Sequence, residues 1–491
     1  MLGLNIGFWI LIVVLVVNVT AAIITVFKDK RDIAATWAWL LVLFMLPVVG
    51  FIIYLFVGKK ISSNRLFDLQ EQEKLGIDQL VDLQKTQWDK RDLIPKDEVL
   101  SEGNRELTRL FLDIDHAVLT KHNQVEIYTD GITKFDALIR DIKQAKNHIH
   151  IEYYTFYDDK IGNQILRILE KKALQGVKVR IIYDSLGSRG MRHNFFRQLE
   201  KNGGEAEPFF GTKSAPIHSP RINYRDHRKI VVIDGKVGYI GGFNIGDQYL
   251  GRLKKFGYWR DTHIRVVGNV VAALQTRFLM DWNATVKNVP NANPIRYQDN
   301  YYPLIHGKGK TGIQIVSSGP DNDQQAIRRG YFKMINNARK YVYIQTPYLI
   351  PDDSIMDALE VAKQSGVDVR VMIPCMPDHP FVYRATEYYA KQLTEQGIKI
   401  YRYDKGFLHS KTVVVDDQIS SVGSANLDFR SFKLNFEANA FLYGNSFAKK
   451  MKRIFEEDEL DCTLLDNEFF AKQTRWRKFK QYFSRLLSPI L

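Results

Sequence analysis

Two long apolar stretches, separated by a short charged one, open the chain. Residues 1–27 carry no charged side chain, and a second uncharged run covers residues 33–58, after KDKRD and before Lys59. Each run is long enough, as a helix, to cross the roughly 30 Å hydrocarbon core of a bilayer. A cleaved signal peptide is the alternative, but the first run is too long, lacks a basic start and is followed at once by the second. The pattern therefore predicts a two-helix transmembrane hairpin over residues 1–60.

The segment that follows the hairpin is polar. Over residues 61–110, leucines such as Leu80 and Leu83 recur among charged neighbours. This spacing predicts a solvated helical connector rather than part of a core. Catalytic residues are not expected in it.

From about residue 125 the pattern alternates between apolar strands and amphipathic helices, and this alternation occurs twice. Strand-like runs cover residues 125–130, 148–156 and 176–184, and then residues 312–318, 341–349 and 366–374, with helical spacing between them. Such alternation predicts α/β domains built on mainly parallel or mixed sheets. We therefore expect two tandem domains, residues 111–290 and 311–465. They are joined by a linker, residues 291–310, in a stretch rich in Asn, Pro and Gly.

The C-terminal segment, residues 466–491, reads as a basic amphipathic helix. From residue 469 onward it holds six basic residues and no acidic one, and its apolar side chains fall three and four apart. Such a helix can lie in the headgroup region of an anionic membrane. Docking on the protein's own core is the alternative, because amphipathicity alone does not separate the two.

One short pattern occurs twice at a fixed distance. HRKIVVIDGKVGYIGGFN covers residues 227–244, and HSKTVVVDDQISSVGSAN covers residues 409–426, a constant shift of 182 residues. Five positions match: His227, Lys229, Asp234, Gly241 and Asn244 correspond to His409, Lys411, Asp416, Gly423 and Asn426. A single His-x-Lys on a strand is most often an accident of the surface. Two copies in register indicate a duplicated chemical site.

The matched residue types suit a phosphodiester. His and Lys are two apart, so on an extended strand both side chains leave the same face. Lys and Asn can donate to phosphoryl oxygens, while His can act as a nucleophile or a proton donor near neutral pH. A net charge of +14 also favours anionic partners. No cluster of Asp, Glu and His has the spacing of a metal site, and the two cysteines, Cys375 and Cys462, are read as incidental.

Both stretches resemble the HxKxxxxD…GxxN signature of the phospholipase D superfamily. The resemblance implies a pseudo-twofold duplicated β-sheet flanked by helices, and chemistry that needs no metal or cofactor. It also implies that an acid after each motif, Asp261 and Glu437, orients a motif histidine. We interpret the motif carboxylates Asp234 and Asp416 as structural, forming salt bridges rather than transferring protons.

Other polar residues near the motifs allow two interpretations. Arg430, Ser431 and Asn435 precede Glu437 and could contact an anion, or could be ordinary loop residues. His148 and His150 lie on an apolar strand. For them a place in the core is favoured over catalysis.

With the hairpin in front, the order of segments resembles the bacterial cardiolipin synthase family of this superfamily. The implied reaction transfers a phosphatidyl group from one phosphatidylglycerol to another and releases glycerol, through a covalent phosphohistidine. The resemblance assigns His227 as the nucleophile and His409 as the acid and base. Lys229, Lys411, Asn244 and Asn426 would hold the phosphoryl charge. The expected partners are phosphatidylglycerol, other anionic phospholipids and the bacterial cell membrane, with catalytic domains on the cytoplasmic side and no nucleic acid.

Two other functions stay open at this point. A membrane-anchored phosphodiesterase or nuclease of the same superfamily would use the same motifs, and release of soluble nucleotides would be its mark. A non-catalytic protein that binds acidic lipid is the alternative of a different class. It is disfavoured because both copies keep every catalytic type of residue.

Overall fold

The structure is a computed structural model that describes residues 33–46, 77–89, 102–209, 223–287, 299–305 and 307–488, with a few isolated positions besides. Most of the predicted hairpin over residues 1–60 lies outside the described residues. Within them, helix α1 covers Ile33–Met45. No helix of the described part is both long enough and apolar enough to span a bilayer.

The two predicted α/β units form one continuous mixed sheet. Its strand order is β4-β3-β2-β6-β7-β9-β1 in the first half and β10-β19-β17-β16-β11-β13-β14-β20 in the second, and β1 and β10 join the halves in antiparallel pairing. The strands in that order are Glu205–Pro208, Lys178–Tyr183, His148–Tyr153, Lys229–Ile233, Val237–Gly241, His263–Val267 and Thr120–Tyr128, then Thr311–Ser318, Asn435–Tyr443, Ile419–Gly423, Thr412–Val415, Tyr341–Gln345, Asp368–Pro374, Lys399–Tyr403 and Cys462–Leu465. Strands β12, Leu349–Ile350, and β18, Leu427–Asp428, form a separate parallel pair. The duplication predicted from the 182-residue shift is confirmed, because equivalent strands occupy mirrored places about the β1–β10 junction.

Helices cover both faces of this sheet, so the central strands are apolar on both sides. KIVVI of β6 and TVVV of β16 are buried throughout, as expected for strands enclosed by helices. The remaining described helices are α2 Ile77–Asp89, α3 Glu102–Asp115, α4 Gly131–Gln144, α5 Lys160–Leu174, α6 Arg197–Lys201, α7 Val270–Val286, α8 Ala326–Asn337, α9 Asp353–Gln364, α10 Pro380–Glu395, α11 Phe429–Lys433, α12 Asn445–Glu459, α13 Asn467–Ala471 and α14 Arg475–Leu486.

Helix α3 corrects the expectation for the end of the connector. Its side chains Leu107, Phe111 and Leu112 are buried, and Leu107 and Phe111 belong to the core of the second half, beside α8. Leu107 and Phe111 are four residues apart, which places them on one side of the helix. The predicted connector is therefore solvated in part, with Leu80 and Leu83 about half exposed, and its last turns contribute to a core.

Two short pairings cross from one half to the other, and they build the site described below. Strand β5, Arg225–Asp226, runs parallel to the start of β19 in the second half. Strand β15, Gly406–Leu408, runs parallel to β8, Tyr258–Arg260, in the first half. Each pair ends next to a motif histidine, so each motif begins beside a strand of the opposite half.

Candidate active site

The two motif histidines are positioned by backbone contacts with the opposite half. The amide of His227 donates to the carbonyl oxygen of Phe436 at 2.9 Å, and the amide of His409 donates to that of Arg260 at 2.7 Å. These bonds continue the short parallel pairings of β5 and β15. Each histidine therefore lies next to the residue that follows its backbone partner, which is Glu437 for one and Asp261 for the other.

Each imidazole bonds to the carboxylate of the other half. Nδ1 of His227 lies 2.9 Å from Oε1 and 3.0 Å from Oε2 of Glu437, and Nδ1 of His409 lies 2.6 Å from Oδ2 of Asp261. The sequence left open which histidine each acid contacts. A carboxylate at Nδ1 fixes the hydrogen on that nitrogen and leaves Nε2 free to attack or to exchange a proton.

Burial shifts the titration of both pairs. It lowers the pKa of His227 to about 4, against the attraction of Glu437, and it also lowers the pKa of His409, with the charge of Lys411 acting in the same direction. Burial alone would raise the pKa values of Glu437 and Asp261, but the facing histidines and lysines outweigh it, so both lie below their usual value. At neutral pH the site therefore holds two carboxylates and two neutral imidazoles.

The two carboxylates accept hydrogen bonds from different donors. Ser424 donates its hydroxyl to Oε2 of Glu437 at 2.5 Å, whereas the matching position beside Asp261 is Gly242. A Cβ at Gly242 would lie 2.0 Å from Oδ1 of Asp261. That oxygen instead accepts from the backbone amide of Thr262 at 2.7 Å. Each acid is thus held by a donor on its own strand or on the neighbouring turn.

The two motif lysines are buried beside the histidines rather than in the wall of the cleft. Nζ of Lys229 donates to the carbonyl oxygen of His227 at 2.5 Å, and Nζ of Lys411 donates to that of His409. Burial lowers the pKa of Lys229 to about 7 and that of Lys411 to about 8, opposed in each case by the acids of the site. Burial makes it costly to keep these ammonium groups charged, and a bound phosphate would relieve that cost.

This cost predicts a gain in stability when Lys229 is replaced. Its pKa is about 7 folded against 10.5 unfolded, so the penalty is complete below pH 7 and fades as pH rises toward 10.5. We expect Lys229→Met to raise the free energy of unfolding by about 1–2 kcal/mol at pH 6.5, with the gain vanishing near pH 10. Denaturant unfolding of the full chain in detergent, across this pH range, measures it. Lys236→Met, at an exposed lysine three residues after β6, is the control and should stay within about 0.5 kcal/mol. A Lys229→Met protein less stable than wild type at pH 6.5 would contradict the prediction.

The motif asparagines line the same cleft as the histidines. Asn244 accepts the amide of Thr155 at 3.2 Å and donates to the Tyr249 hydroxyl at 3.1 Å. Asn426 donates to Asp428 at 3.3 Å, and its Oδ1 is buried without a partner among the described residues. Both amides are held at the cleft wall, where a phosphoryl group could reach them.

The motif aspartates lie away from the cleft and bond to backbone. Asp234 accepts the amides of residues 146, 147 and 148 at 2.7–3.0 Å, and Asp416 accepts those of residues 339, 340 and 341 at 2.6–2.8 Å. Both have a φ of 53°, a left-handed conformation that Asp tolerates at turns. They tie the turn after each motif strand to the start of the neighbouring strand. These contacts agree with a structural interpretation, but among the described residues they are made to backbone amides and not as the expected salt bridges.

The cleft holds about 650 Å³ and is lined by residues of both halves. Sequence reasoning did not single out several of its wall residues, among them Tyr154, Arg225, Trp259, Tyr348 and Asp378. Tyr154 packs against His227 and Trp259 against His409, with ring centres 5.1 and 5.2 Å apart. The aromatic pair had no signal in the sequence, because Tyr154 directly follows an ordinary apolar strand and Trp259 lies in a strand of three residues.

Two of the uncertain groups near the motifs are now placed. Arg430 and Asn435 line the cleft, so contact with an anion stays a prediction for them, and burial lowers the pKa of Arg430. His148 and His150 are buried in the first half, where both bond to Gln275 at 2.9 Å. They belong to the core, as expected.

Comparison with known proteins agrees with this geometry. The family described as "Cardiolipin synthase, PLD-like domain" matches residues 138–282 and 331–459, and the one described as "Phospholipase_D-nuclease N-terminal" matches residues 16–59. A solved structure of phosphatidylserine synthase from Haemophilus influenzae superposes with a TM-score of 0.60 at 16% identity, covering 79% of this chain and all of that one. That likeness concerns the fold alone. Fold and site together define a phospholipase D-like protein with two halves.

Sequence identity to named proteins identifies the family within this class. Cardiolipin synthase of Listeria innocua is 53% identical over 483 residues, which cover 98% of this chain and 99% of that protein. The major cardiolipin synthase of Bacillus subtilis is 48% identical over 481 residues, covering 97% and 98%. The chain belongs to the cardiolipin synthase family, and the resemblance seen in the sequence is confirmed.

Proposed function

We propose that this protein is a phosphatidyltransferase that joins two molecules of phosphatidylglycerol into cardiolipin and releases glycerol. The observation that carries the proposal is the pair of imidazoles in one cleft, each bonded through Nδ1 to a carboxylate of the opposite half. Two such groups can act on one phosphorus, one as nucleophile and one as acid and base. The full-length similarity to proteins named cardiolipin synthase selects the lipid substrate.

In the first step Nε2 of His227 attacks the phosphorus of the first phosphatidylglycerol. A phosphorus–nitrogen bond forms and the bond to the glycerol oxygen breaks, while His409 gives that oxygen a proton. Burial disfavours the protonated form of His409 by lowering its pKa. An entering phosphodiester brings a negative charge that favours the imidazolium again, so substrate binding itself supplies the acid.

In the second step a headgroup hydroxyl of the second phosphatidylglycerol replaces the departed glycerol. Its proton passes to His409, its oxygen attacks the phosphorus, and the bond to His227 breaks. The enzyme returns to its first state, and the products are cardiolipin and glycerol. Splitting the transfer in this way avoids aligning two lipids and a proton acceptor at one moment.

Several other groups would stabilise the phosphoryl charge. Lys229 and Lys411 lie beside the two histidines, and Asn244 and Asn426 lie in the cleft wall. Nε1 of Trp259 is a buried donor without a partner in the described residues, which suits it to a phosphoryl or glycerol oxygen. Fixed donors around a developing charge need no reorganisation during the reaction.

The location is part of the proposal. We place the protein in the bacterial cell membrane as a multi-pass protein, anchored by the hairpin over residues 1–60, with the catalytic halves on the cytoplasmic side. The division into a connector at 61–110, halves at 111–290 and 311–465, a linker at 291–310 and a tail at 466–491 belongs to the same proposal. A basic protein held at an anionic lipid surface gains effective substrate concentration.

The purified full chain, given phosphatidylglycerol in detergent micelles with excess chelator and no nucleotide, should form cardiolipin and an equal amount of glycerol. Some phosphatidic acid should also appear, because water can compete as the acceptor. Thin-layer or mass-spectrometric analysis of lipids, with an enzymatic glycerol assay, measures both products. Single-stranded DNA should remain intact under the same conditions.

Three results would contradict the proposal. A requirement for a cytidine-activated lipid would mean a different donor. Release of nucleotides without lipid turnover would favour the nuclease. Tight binding of phosphatidylglycerol vesicles with no product would leave the non-catalytic alternative.

A further inference from the structure

The C-terminal helix α14 docks on the protein through its polar side. Gln481 and Ser484 are the buried residues of this helix, and they face α10. The carboxylate of Glu387 in α10 accepts from Gln481 at 3.2 Å and from the guanidinium of Arg477. The helix therefore docks, as the alternative in the sequence predicted, but not by burying its apolar side chains.

The apolar side of α14 is left outside. Its large apolar residues are between 47% and 74% exposed, namely Trp476, Phe479, Tyr482, Phe483 and Leu486. Their spacing of three and four places them on one side of the helix, opposite Gln481 and Ser484. Monomeric proteins seldom expose a contiguous apolar patch of this kind unless it meets a partner or a membrane.

Basic side chains border this apolar stripe. Lys480 lies on one side of it, and Lys478 and Arg485 lie on the other. Lys480 and Arg485 also contact aromatic rings, those of Trp476 and Tyr388. From residue 469 to the end of the chain no acidic residue offsets these charges. An aromatic stripe with cations at its edges matches an anionic lipid surface in both polarity and charge.

Helix α10 connects this stripe to the cleft. At its start, His379 and Val382 line the cleft, while Phe381 between them is 55% exposed. Tyr388 lies seven residues after Phe381, on the same side of α10, and packs against Tyr482 of α14 with ring centres 5.5 Å apart. Tyr388 is itself buried at this contact, so α10 acts as a rigid link between the exposed stripe of α14 and the exposed Phe381 at the cleft mouth.

We infer that α14 is a bilayer-surface helix, fixed by Glu387 so that its aromatic stripe enters an anionic membrane and sets the cleft mouth against the same surface. The occupant of the stripe is the anionic bilayer. The inference rests on the proposed function only in taking the substrate lipid as that bilayer. It adds an orientation that the predicted hairpin, attached through a long connector, does not impose.

The position of Trp476 tests this directly, without any need for activity. The full chain is placed in nanodiscs of phosphatidylglycerol and phosphatidylcholine, with or without brominated acyl chains. The contribution of Trp476 is the difference between the fluorescence of the wild-type protein and that of Trp476→Phe. Brominated lipid should quench this contribution. The fluorescence removed by Trp282→Phe, at a fully buried residue, should not be quenched. Equal insensitivity of both components to bromine would overturn the inference.

A kinetic test separates membrane contact from folding. In mixed micelles, Leu486→Glu should raise the KM for the surface fraction of phosphatidylglycerol about fivefold and leave kcat unchanged, because one charge near an anionic surface has an effect of that order. Leu174→Glu in α5 is the matched control, since Leu174 is 70% exposed and Leu486 is 74% exposed. Both variants should match wild type on monomeric short-chain phosphatidylglycerol.

The outcomes are distinct. The same KM for Leu486→Glu and Leu174→Glu would overturn the inference. So would a two-chain particle in mass photometry that Leu486→Glu converts to one chain, because the stripe would then be covered by a second copy. If no variant and no wild type made cardiolipin, the proposed function would fail while the quenching of Trp476 still decided the membrane contact.

Discussion

Quenching the enzyme during turnover of phosphorus-labelled phosphatidylglycerol should leave the label on His227 alone. The phosphorus–nitrogen bond makes this label labile in acid and stable in base. His227→Ala and His409→Ala should each lower turnover of phosphatidylglycerol by about 10⁴-fold, because groups that act as a unit fail together. Peptide mapping of the base-stable label identifies the residue that carries it.

The two variants should differ when the leaving group needs no acid. With a p-nitrophenyl ester of phosphatidic acid, His409→Ala should release one equivalent of nitrophenol in a burst and then stall as the covalent enzyme, since it lacks the base for the second step. His227→Ala should give no burst. Label on His409 in the wild-type enzyme would reverse the assignment. The absence of any adduct in His409→Ala would contradict the two-step mechanism.

Replacing each carboxylate by an amide should give the same burst behaviour as removing the histidine that it contacts in the opposite half. Glu437→Gln and Asp261→Asn should each lower turnover of phosphatidylglycerol by about 10³–10⁴-fold, because the facing imidazole loses the acceptor that fixes its tautomer. On the nitrophenyl ester, Asp261→Asn should retain the burst and Glu437→Gln should lose it. The reason is that Glu437 contacts His227, 210 residues away, while Asp261 contacts His409, 148 residues away.

The opposite pattern would mean that each acid serves the histidine of its own half. Glu126→Gln, at a partly exposed acid that pairs with Arg265, controls for loss of a carboxylate and should behave as wild type. Thermal unfolding of each variant checks that the fold is intact. If the variant is folded, a burst retained by Glu437→Gln would therefore show that His227 does not depend on Glu437.

Local periodicity was enough to predict the repeated units. The strand expected at residues 148–156 is observed at His148–Tyr153, and the strand expected at 341–349 is observed at Tyr341–Gln345. These elements have a full apolar side, so the pattern that forms them is visible in the sequence. The constant shift of 182 residues between the motifs then indicated the duplication.

The crossed pairing had no such signal. It depends on β5 and β15, strands of two and three residues, which are too short to show a period. Their partners lie far away along the chain, so only tertiary packing selects them. The same limit applies to α14, where the sequence predicted an amphipathic helix but could not show that Glu387 would hold its polar side. Whether the polar side of an amphipathic helix is buried depends here on one partner in the tertiary structure, which periodicity does not show.

The crossed contacts make each half depend on a residue of the other half. One triad consists of His227, Glu437 and Ser424, and the other consists of His409, Asp261 and Gly242. A substitution of either acid alters the hydrogen bond to the imidazole of the other repeat. A change in one repeat therefore affects the histidine of the other. Each repeat carries both a histidine and an acid but does not bring the two together, so one repeat alone would hold no complete pair of imidazole and carboxylate. The two pairs are also not interchangeable, because a longer acid with a serine faces one histidine and a shorter acid with a glycine faces the other.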